Sequence, residues 1–529
     1  MFVALGGEGK TSLVAKWAVE LAAKDWQGCD AAFAWSFYSQ GTREQMAASS
    51  DLFLKEALTF FGNDEDKAFA ASPAGAFEKG QRLARIVGQR RSLLILDGLE
   101  PLQYPPTPPH DGALKDQGIT ALLKGLAASS KGLCIVTTRY SVPDLKAFRQ
   151  TTAPEVPLLR MSREAGVRLL QTLGVRGTTQ EFATLVEDVK GHALTLTVVG
   201  GFLTRAFGGD IRKRDRVKFD KADEKIDGGH AFRAMAAYEQ WLLSGGDEGR
   251  RELAVLRLMG LFDRPADAGC VTALRREPTI PDLTPSLAGL ADDDWEFCVS
   301  ALEAARLLTV NRDAAGSLVS LDAHPLVREY FAQQLRGHHA KAWRAGHRRL
   351  YEQLCATTPD KPAPTLEDLQ PLYQAVVHGC QAGLHENARQ DVYRGRILRG
   401  RQNYSTFALG GLASDLGAIA CFFDRHWSVV SPHIPLIKHG WVLNEAGFTL
   451  RAMGRSAESL EPFRAALRIA IKQEDWKNAA VFASNLSELE LILGAATSAL
   501  ASAKQSVTYA ERSGDPFQRL SKRMRYASG

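Results

Sequence analysis

"ALGGEGKT", residues 4–11, decides how the chain is read. It fits the pattern of Ala or Gly, four residues of any kind, then Gly-Lys-Thr. Gly6, Gly7 and Gly9 let the backbone wrap tightly and turn its N–H groups inward. Those donors, with the positive end of the helix that follows, bind phosphate oxygens. Lys10 adds a mobile cation for the β- and γ-phosphates, and the Thr11 hydroxyl is a Mg²⁺ ligand. Glu8 and Ser12 complete the loop and are counted with the nucleotide-contacting residues. The flanks agree: "MFVAL" is a short strand, and Leu13, Val14, Trp17, Ala18, Leu21 and Ala22 recur with helical period.

Two further runs belong with this loop. In "SLLILDGLE" (92–100) a continuous apolar strand ends at Asp97, placed to hold Mg²⁺ opposite Thr11. Glu100 lies one turn on and is the candidate to orient or deprotonate an attacking water. In "KGLCIVTTRY" (131–140) Thr137, Thr138 and Arg139 end another strand, where Arg139 senses a γ-phosphate. "AAFAWSFY" (31–38) is one more strand. Buried apolar runs alternating with helices indicate a parallel α/β sheet, whose ligands bind at the carboxyl ends of the strands. "YPPTPPHDG" (104–112) is a proline-rich loop.

Beyond residue 160 strand signals nearly vanish. Ser162 and Glu164 open a helix that Gly174 closes. Residues 181–207 read as two helices broken at Gly191. The doubly charged stretch 210–229 reads as a solvated loop or exposed helix. Residues 240–336 read as three helices and then a hairpin, "LLTVNRDAAGSLVSL" (307–321), the pattern of a winged helix. The rest is helical. Gly454 and Gly494 mark the turns of two helical hairpins with a period near 40, similar to tetratricopeptide repeats, which bury their faces only against neighbours.

The 529 residues suggest three or four domains. Hydrophobic residues are 45% and charged ones 24%, a soluble globular composition. Net charge is +5, too little to indicate nucleic acid without a concentrated stripe. The basic residues of 335–354 alternate with apolar ones at helical spacing and read as a solvated face, so neither DNA nor RNA is an expected partner. Seven scattered cysteines without a CxxC pair indicate reduced thiols and a cytoplasmic location. No apolar run reaches the roughly 18–20 residues that span a bilayer, and no membrane association is expected.

The ordered set "GGEGKTSL", "LLILDGLE", "IVTTR", "GHALTL" and "HPLVREYF" resembles STAND-class NTPases of the NB-ARC type over about residues 1–335. The resemblance implies a P-loop α/β domain (1–160) with helices on both faces of a parallel sheet. A helical domain (161–240), a winged helix (241–336) and a helical repeat region (337–529) would follow. It implies an ATP/ADP switch, with Mg²⁺, in which the repeats sense a protein partner, control exchange and permit homo-oligomerisation in the ATP state. Hydrolysis would be slow at most. Arg139 matches the arginine that senses the γ-phosphate, and His324 the winged-helix histidine that contacts the β-phosphate of ADP. Ala193 stands where the family usually has proline, and Pro325 where the plant proteins have aspartate. Only Met1 to Leu5 precede the glycine loop, which reads as a fragment lacking its N-terminal part. The competing expectation is a protein-binding scaffold with a degenerate nucleotide domain.

Overall fold

The computed structural model describes residues 1–37, 50–217 and 229–528. The end of the "AAFAWSFY" run at residue 38, with residues 39–49, and residues 218–228 of the charged stretch lie outside the described residues. Contacts divide the chain into two units. The first comprises the described parts of Met1–Thr42, Val87–Ala113 and Leu126–Gln353, the second those of Arg43–Ile86, Leu114–Gly125 and Leu354–Gly529.

In the first unit β1 (Phe2–Val3), β2 (Ala31–Ser36), β3 (Ser92–Asp97), β4 (Leu133–Thr138) and β5 (Val156–Pro157) make one sheet in the order β2-β3-β4-β1-β5. All its pairings are parallel. The apolar run of β3 is buried because a parallel sheet is covered on both faces: Leu93, Leu94, Ile95 and Leu96 are all inside, whereas β4 begins at an exposed Leu133 and is buried only from Val136 to Thr138. β5 is two residues long and includes a proline, which an edge strand tolerates; it carries no periodic signal to read from sequence.

Helix α1 (Lys10–Ala22) follows the glycine loop directly. Its sheet-facing stripe is Val14, Ala18 and Leu21, packed on Leu93, Ile95 and Ile135. The apolar face read from sequence is wider than this, and Leu13 and Trp17 are exposed. Register completes the arrangement. Ser36 pairs with Asp97, Phe2 with Thr137 and Val3 with Thr138, so the chemically active strand ends lie at one level.

The helices Arg163–Thr172, Thr179–Asp188 and Ala193–Phe207 follow, with the break at Gly191, where φ is +67°. Arg205 on the third makes a bidentate pair with Glu252 and donates to the Tyr238 hydroxyl. Helices Gly246–Met259, Ala268–Arg275 and Asp292–Ala304 lead into a hairpin of β7 (Thr309–Arg312) and β8 (Leu318–Asp322). With β6 (Ala266–Asp267) the hairpin forms a three-stranded antiparallel sheet in the order β6-β8-β7. Helix Pro325–His338 leaves this sheet with His324 as its N-cap. Arg328 ties the helix to Asp322 at 2.8 Å, and Tyr330 donates to Glu239 at 2.8 Å.

The second unit is helical. Residues 50–86 and 114–125 belong to it with the C-terminal helices. Asp51 accepts from the backbone N–H of Ala413 at 3.0 Å and Ser50 donates to Asp116 at 2.6 Å. The buried Asp415 accepts from Tyr373, Ser405 and Thr406, and its burial pushes the carboxyl up to about 7. Two hairpins, Leu436–Ala452 with Ser456–Lys472 and Trp476–Ile492 with Ala496–Ser513, turn at Gly454 and Gly494. Both glycines have φ near +77°, the left-handed C-terminal turn that suits glycine. Asn444 to Asn485 at 2.9 Å and Arg451 to Glu488 at 2.9 Å join the first helix of one hairpin to the first of the next.

Within the first hairpin, a Cβ added at Gly447 would lie 2.8 Å from the fully buried Phe463 ring. Gly447→Val therefore lowers stability by about 1–3 kcal/mol, as overpacking of a tight contact does. Chemical denaturation measures it, and an unchanged midpoint would contradict the packing described.

Candidate functional site

The carboxyl ends of β2 and β4 and the start of α1 converge on Asp97, at the end of β3. Its Oδ1 accepts from the Thr11 hydroxyl at 2.8 Å and from the Thr137 hydroxyl at 2.7 Å. The Ser36 hydroxyl donates to Oδ2 at 3.4 Å. Thr137 is itself fixed by the backbone N–H of Gly98 at 2.8 Å. One carboxylate thus gathers hydroxyls from the start of α1 and from the two strands that flank β3.

The glycine loop closes over this point. Gly7 and Gly9 hold φ of +78° and +90°, positions at which any side chain is strained. Lys10 is buried, and its Nζ donates to the carbonyls of Ala4 at 2.7 Å and Leu5 at 3.0 Å. Glu8 is buried too, with Arg160 at 3.9 Å. Ser12 is exposed on the first turn of α1. Arg139 and Glu100, both largely buried, form an ion pair at 3.8 Å, so the two residues expected to act on a terminal phosphate meet each other. Thr138 bonds to Gln103 and accepts from the Tyr140 N–H at 3.3 Å, which shapes the turn that carries Arg139.

One distant segment reaches the loop. His192 Nε2 lies 2.9 Å from the Gly6 carbonyl, and the Leu194 N–H donates to the Gly7 carbonyl at 2.9 Å. His324 caps its helix through Nδ1, which accepts from the Leu326 N–H at 3.2 Å. Burial pushes its imidazole down to about 3, helped by the positive charges of Arg139 and Arg328, by His192 and by Lys10. Lys10, Thr11, Asp97, Glu100 and Arg139 thus form one site at the strand ends, and His324 is linked to it through charge. Ser36, Arg160 and His192 join it without having been read from sequence. His192 alone left a signal, a ring in front of the apolar helix of "GHALTL".

These residues fit a nucleoside polyphosphate. No side chain caps α1 and no acid stands in its first turn, so its N-terminal N–H groups and partial positive charge face the loop. For Mg²⁺ the site offers the hard oxygens of Thr11 and Asp97. Among the described residues no group of three or more His, Cys, Asp or Glu is arranged to hold a metal ion. A magnesium ion here would complete its shell with phosphate oxygens and water, its ordinary habit in phosphate sites.

No protein-family model matches the chain, and no curated protein matches it in sequence. Solved structures are similar to it, two of them as follows. One is a signal transduction ATPase with numerous domains (STAND) with a tetratricopeptide repeat sensor, from Pyrococcus horikoshii. It is 15% identical with a TM-score of 0.41, over 100% of this chain and 77% of that one. The other is a Walker-type ATPase of Pyrococcus abyssi, 11% identical with a TM-score of 0.26, over 62% of this chain and 89% of that one. No helix among the described residues is long and apolar enough to cross a membrane.

His324 makes stability depend on pH. Its folded value lies below the ordinary 6.5, so the unfolded chain takes up the proton first. The contribution is complete above about pH 6.5 and is lost as pH falls from there towards about 3, by at most about 1.4 kcal/mol per pH unit. His324→Asn retains an N-cap acceptor without the titration. Urea midpoints measured between pH 7 and 4 should fall more steeply for the wild type than for this variant; parallel slopes would refute the assignment.

Proposed function

We propose that the chain is a nucleotide-dependent switch of the STAND class, NB-ARC type, that binds ADP or ATP with Mg²⁺. The carrying observation is the convergence of Lys10, Thr11, Asp97, Glu100 and Arg139, from separated stretches of sequence, at the carboxyl ends of one parallel sheet, with His324 within reach of the charges of Lys10 and Arg139. Gly6, Gly7, Glu8 and Gly9 shape the phosphate cradle and Ser12 lies at its rim. Lys10 neutralises phosphate charge, and Thr11 and Asp97 would hold the magnesium, which would supply neutralisation of phosphate charge. Arg139 and Glu100 stand at the position of a terminal phosphate. There Arg139 reads its presence and Glu100 orients water, with hydrolysis slow at most.

His324 supplies the coupling between nucleotide and shape. It starts a helix that leaves the three-stranded sheet, and it stays neutral beside Lys10 and Arg139. A neutral imidazole that accepts from its own helix through Nδ1 keeps Nε2–H to donate to a phosphate oxygen. We assign residues 1–160 to nucleotide binding, 161–240 to the helical domain, 241–336 to the winged helix and 337–529 to a repeat sensor for protein partners. Homo-oligomerisation in the ATP state and a cytoplasmic location belong to the same reading.

Calorimetric titration with ADP and ATP, with and without Mg²⁺, tests this directly. Lys10→Ala should weaken binding at least tenfold, since a charge-assisted phosphate contact is lost. Asp97→Asn should remove most of the Mg²⁺ dependence. Full affinity in Lys10→Ala would leave a protein-binding scaffold as the better description.

A further inference from the structure

We propose that His192 is a positioning residue for the nucleotide phosphates: it holds the glycine loop so that successive amide N–H groups face the phosphate side. The inference rests on the nucleotide-binding reading and adds to it a residue that touches no phosphate itself.

The ring has two tasks. His192 is the N-cap of helix Ala193–Phe207, and its Nδ1 accepts from the Thr195 N–H at 3.2 Å, with the Thr195 hydroxyl 2.8 Å away. A nitrogen that accepts from a backbone N–H carries no proton, so in the neutral ring the hydrogen sits on Nε2. Nε2 lies 2.9 Å from the Gly6 carbonyl and donates to it. Two residues on, the Leu194 N–H donates to the Gly7 carbonyl. The carbonyls of two consecutive peptide units are thus tied to one short segment more than 180 residues away in sequence.

Peptide geometry supplies the consequence. In a planar trans unit the C=O and N–H point in opposite directions. With the Gly6 and Gly7 carbonyls drawn to residues 192–194, the N–H groups of Gly7 and Glu8 turn away from that segment. These are two of the donors that the loop needs for phosphate. Gly7 makes the approach possible: a Cβ there would lie 2.7 Å from His192 Cε1 and 3.0 Å from Leu194 Cβ. An ordinary cap residue such as serine satisfies the helix alone. Only a side chain with an acceptor near its root and a donor at its tip serves both the helix and the loop.

Two substitutions separate the tasks. His192→Asn keeps an acceptor where Nδ1 stands and loses the donor to Gly6. His192→Gln carries an amide donor out to where Nε2 stands and loses the cap. ADP titration of the full chain, with thermal unfolding in the absence of nucleotide, reads both. His192→Asn should melt near the wild type and bind ADP about tenfold more weakly, the scale of one net hydrogen bond. His192→Gln should melt lower and keep most of its affinity. Wild-type binding by the Asn variant overturns the proposal, as does weakened binding in both variants. Lys10→Ala is the control. If it binds ADP as the wild type does, the nucleotide reading itself fails. If it weakens binding and His192→Asn does not, only the role of His192 fails.

Discussion

The hydroxyl of Thr11 on the carboxylate of Asp97 is the bond on which the site depends. It joins the first turn of α1 to the end of β3, and Thr137 meets the same oxygen from β4. Parallel register makes this economical, because strands that run the same way deliver their last residues to a common edge. Asp97 and Ser36 are register partners, and Thr137 pairs with Phe2 at the root of the glycine loop. A carboxylate held by several hydroxyls keeps its place without a cation. On the proposed reading the same oxygens would be the ligands of a magnesium ion, and side chains already fixed by one another would need little rearrangement to take it up.

The loop is not held by the sheet alone. Its two central carbonyls are bound by the start of helix Ala193–Phe207, while its lysine and the arginine at the end of β4 act electrostatically on His324 at the start of helix Pro325–His338. Both segments are helix N-termini whose caps are histidines. In each, Nδ1 serves the helix and leaves Nε2 for what lies beyond it. Ala193 itself takes no part in this apposition, because the contacts run through the residues on either side of it.

The sheet and the site were legible in sequence to different depths. "LLILD" and "IVTT" announced buried parallel strands because their apolar runs are continuous, and Asp97 was legible because a charge ends such a run. The hairpin turns at Gly454 and Gly494 were legible because only a left-handed residue ends a helix so abruptly. β5 was not, since two residues carry no period. The exposed side of α1 was not either: Leu13 and Trp17 are as apolar as Val14, and only the sheet decides which of them it covers. Nor does any local feature of residues 50–61 reveal that Asp51 will accept from the backbone of Ala413. That pairing depends on the three-dimensional course of the chain. His192 is an intermediate case, readable as a cap from its neighbours but as a partner of Gly6 only once the fold is known.

Electrostatics gives the last step. Lys10, Arg139 and Arg328 carry positive charge towards one histidine, and that histidine is driven down to about 3 by burial and by this surrounding charge. Among the acids nearby, Asp97 takes up hydroxyls, Glu100 faces Arg139 and Glu8 faces Arg160. Each of the three cations has its own partner: Arg139 is paired with Glu100, Arg328 with Asp322, and Lys10 donates to the carbonyls of Ala4 and Leu5. A proton on His324 would add a further positive charge against these three in a buried place, and the ring avoids it by staying neutral. Burial and charge thus act in the same direction on one residue, although the two are set by different parts of the chain.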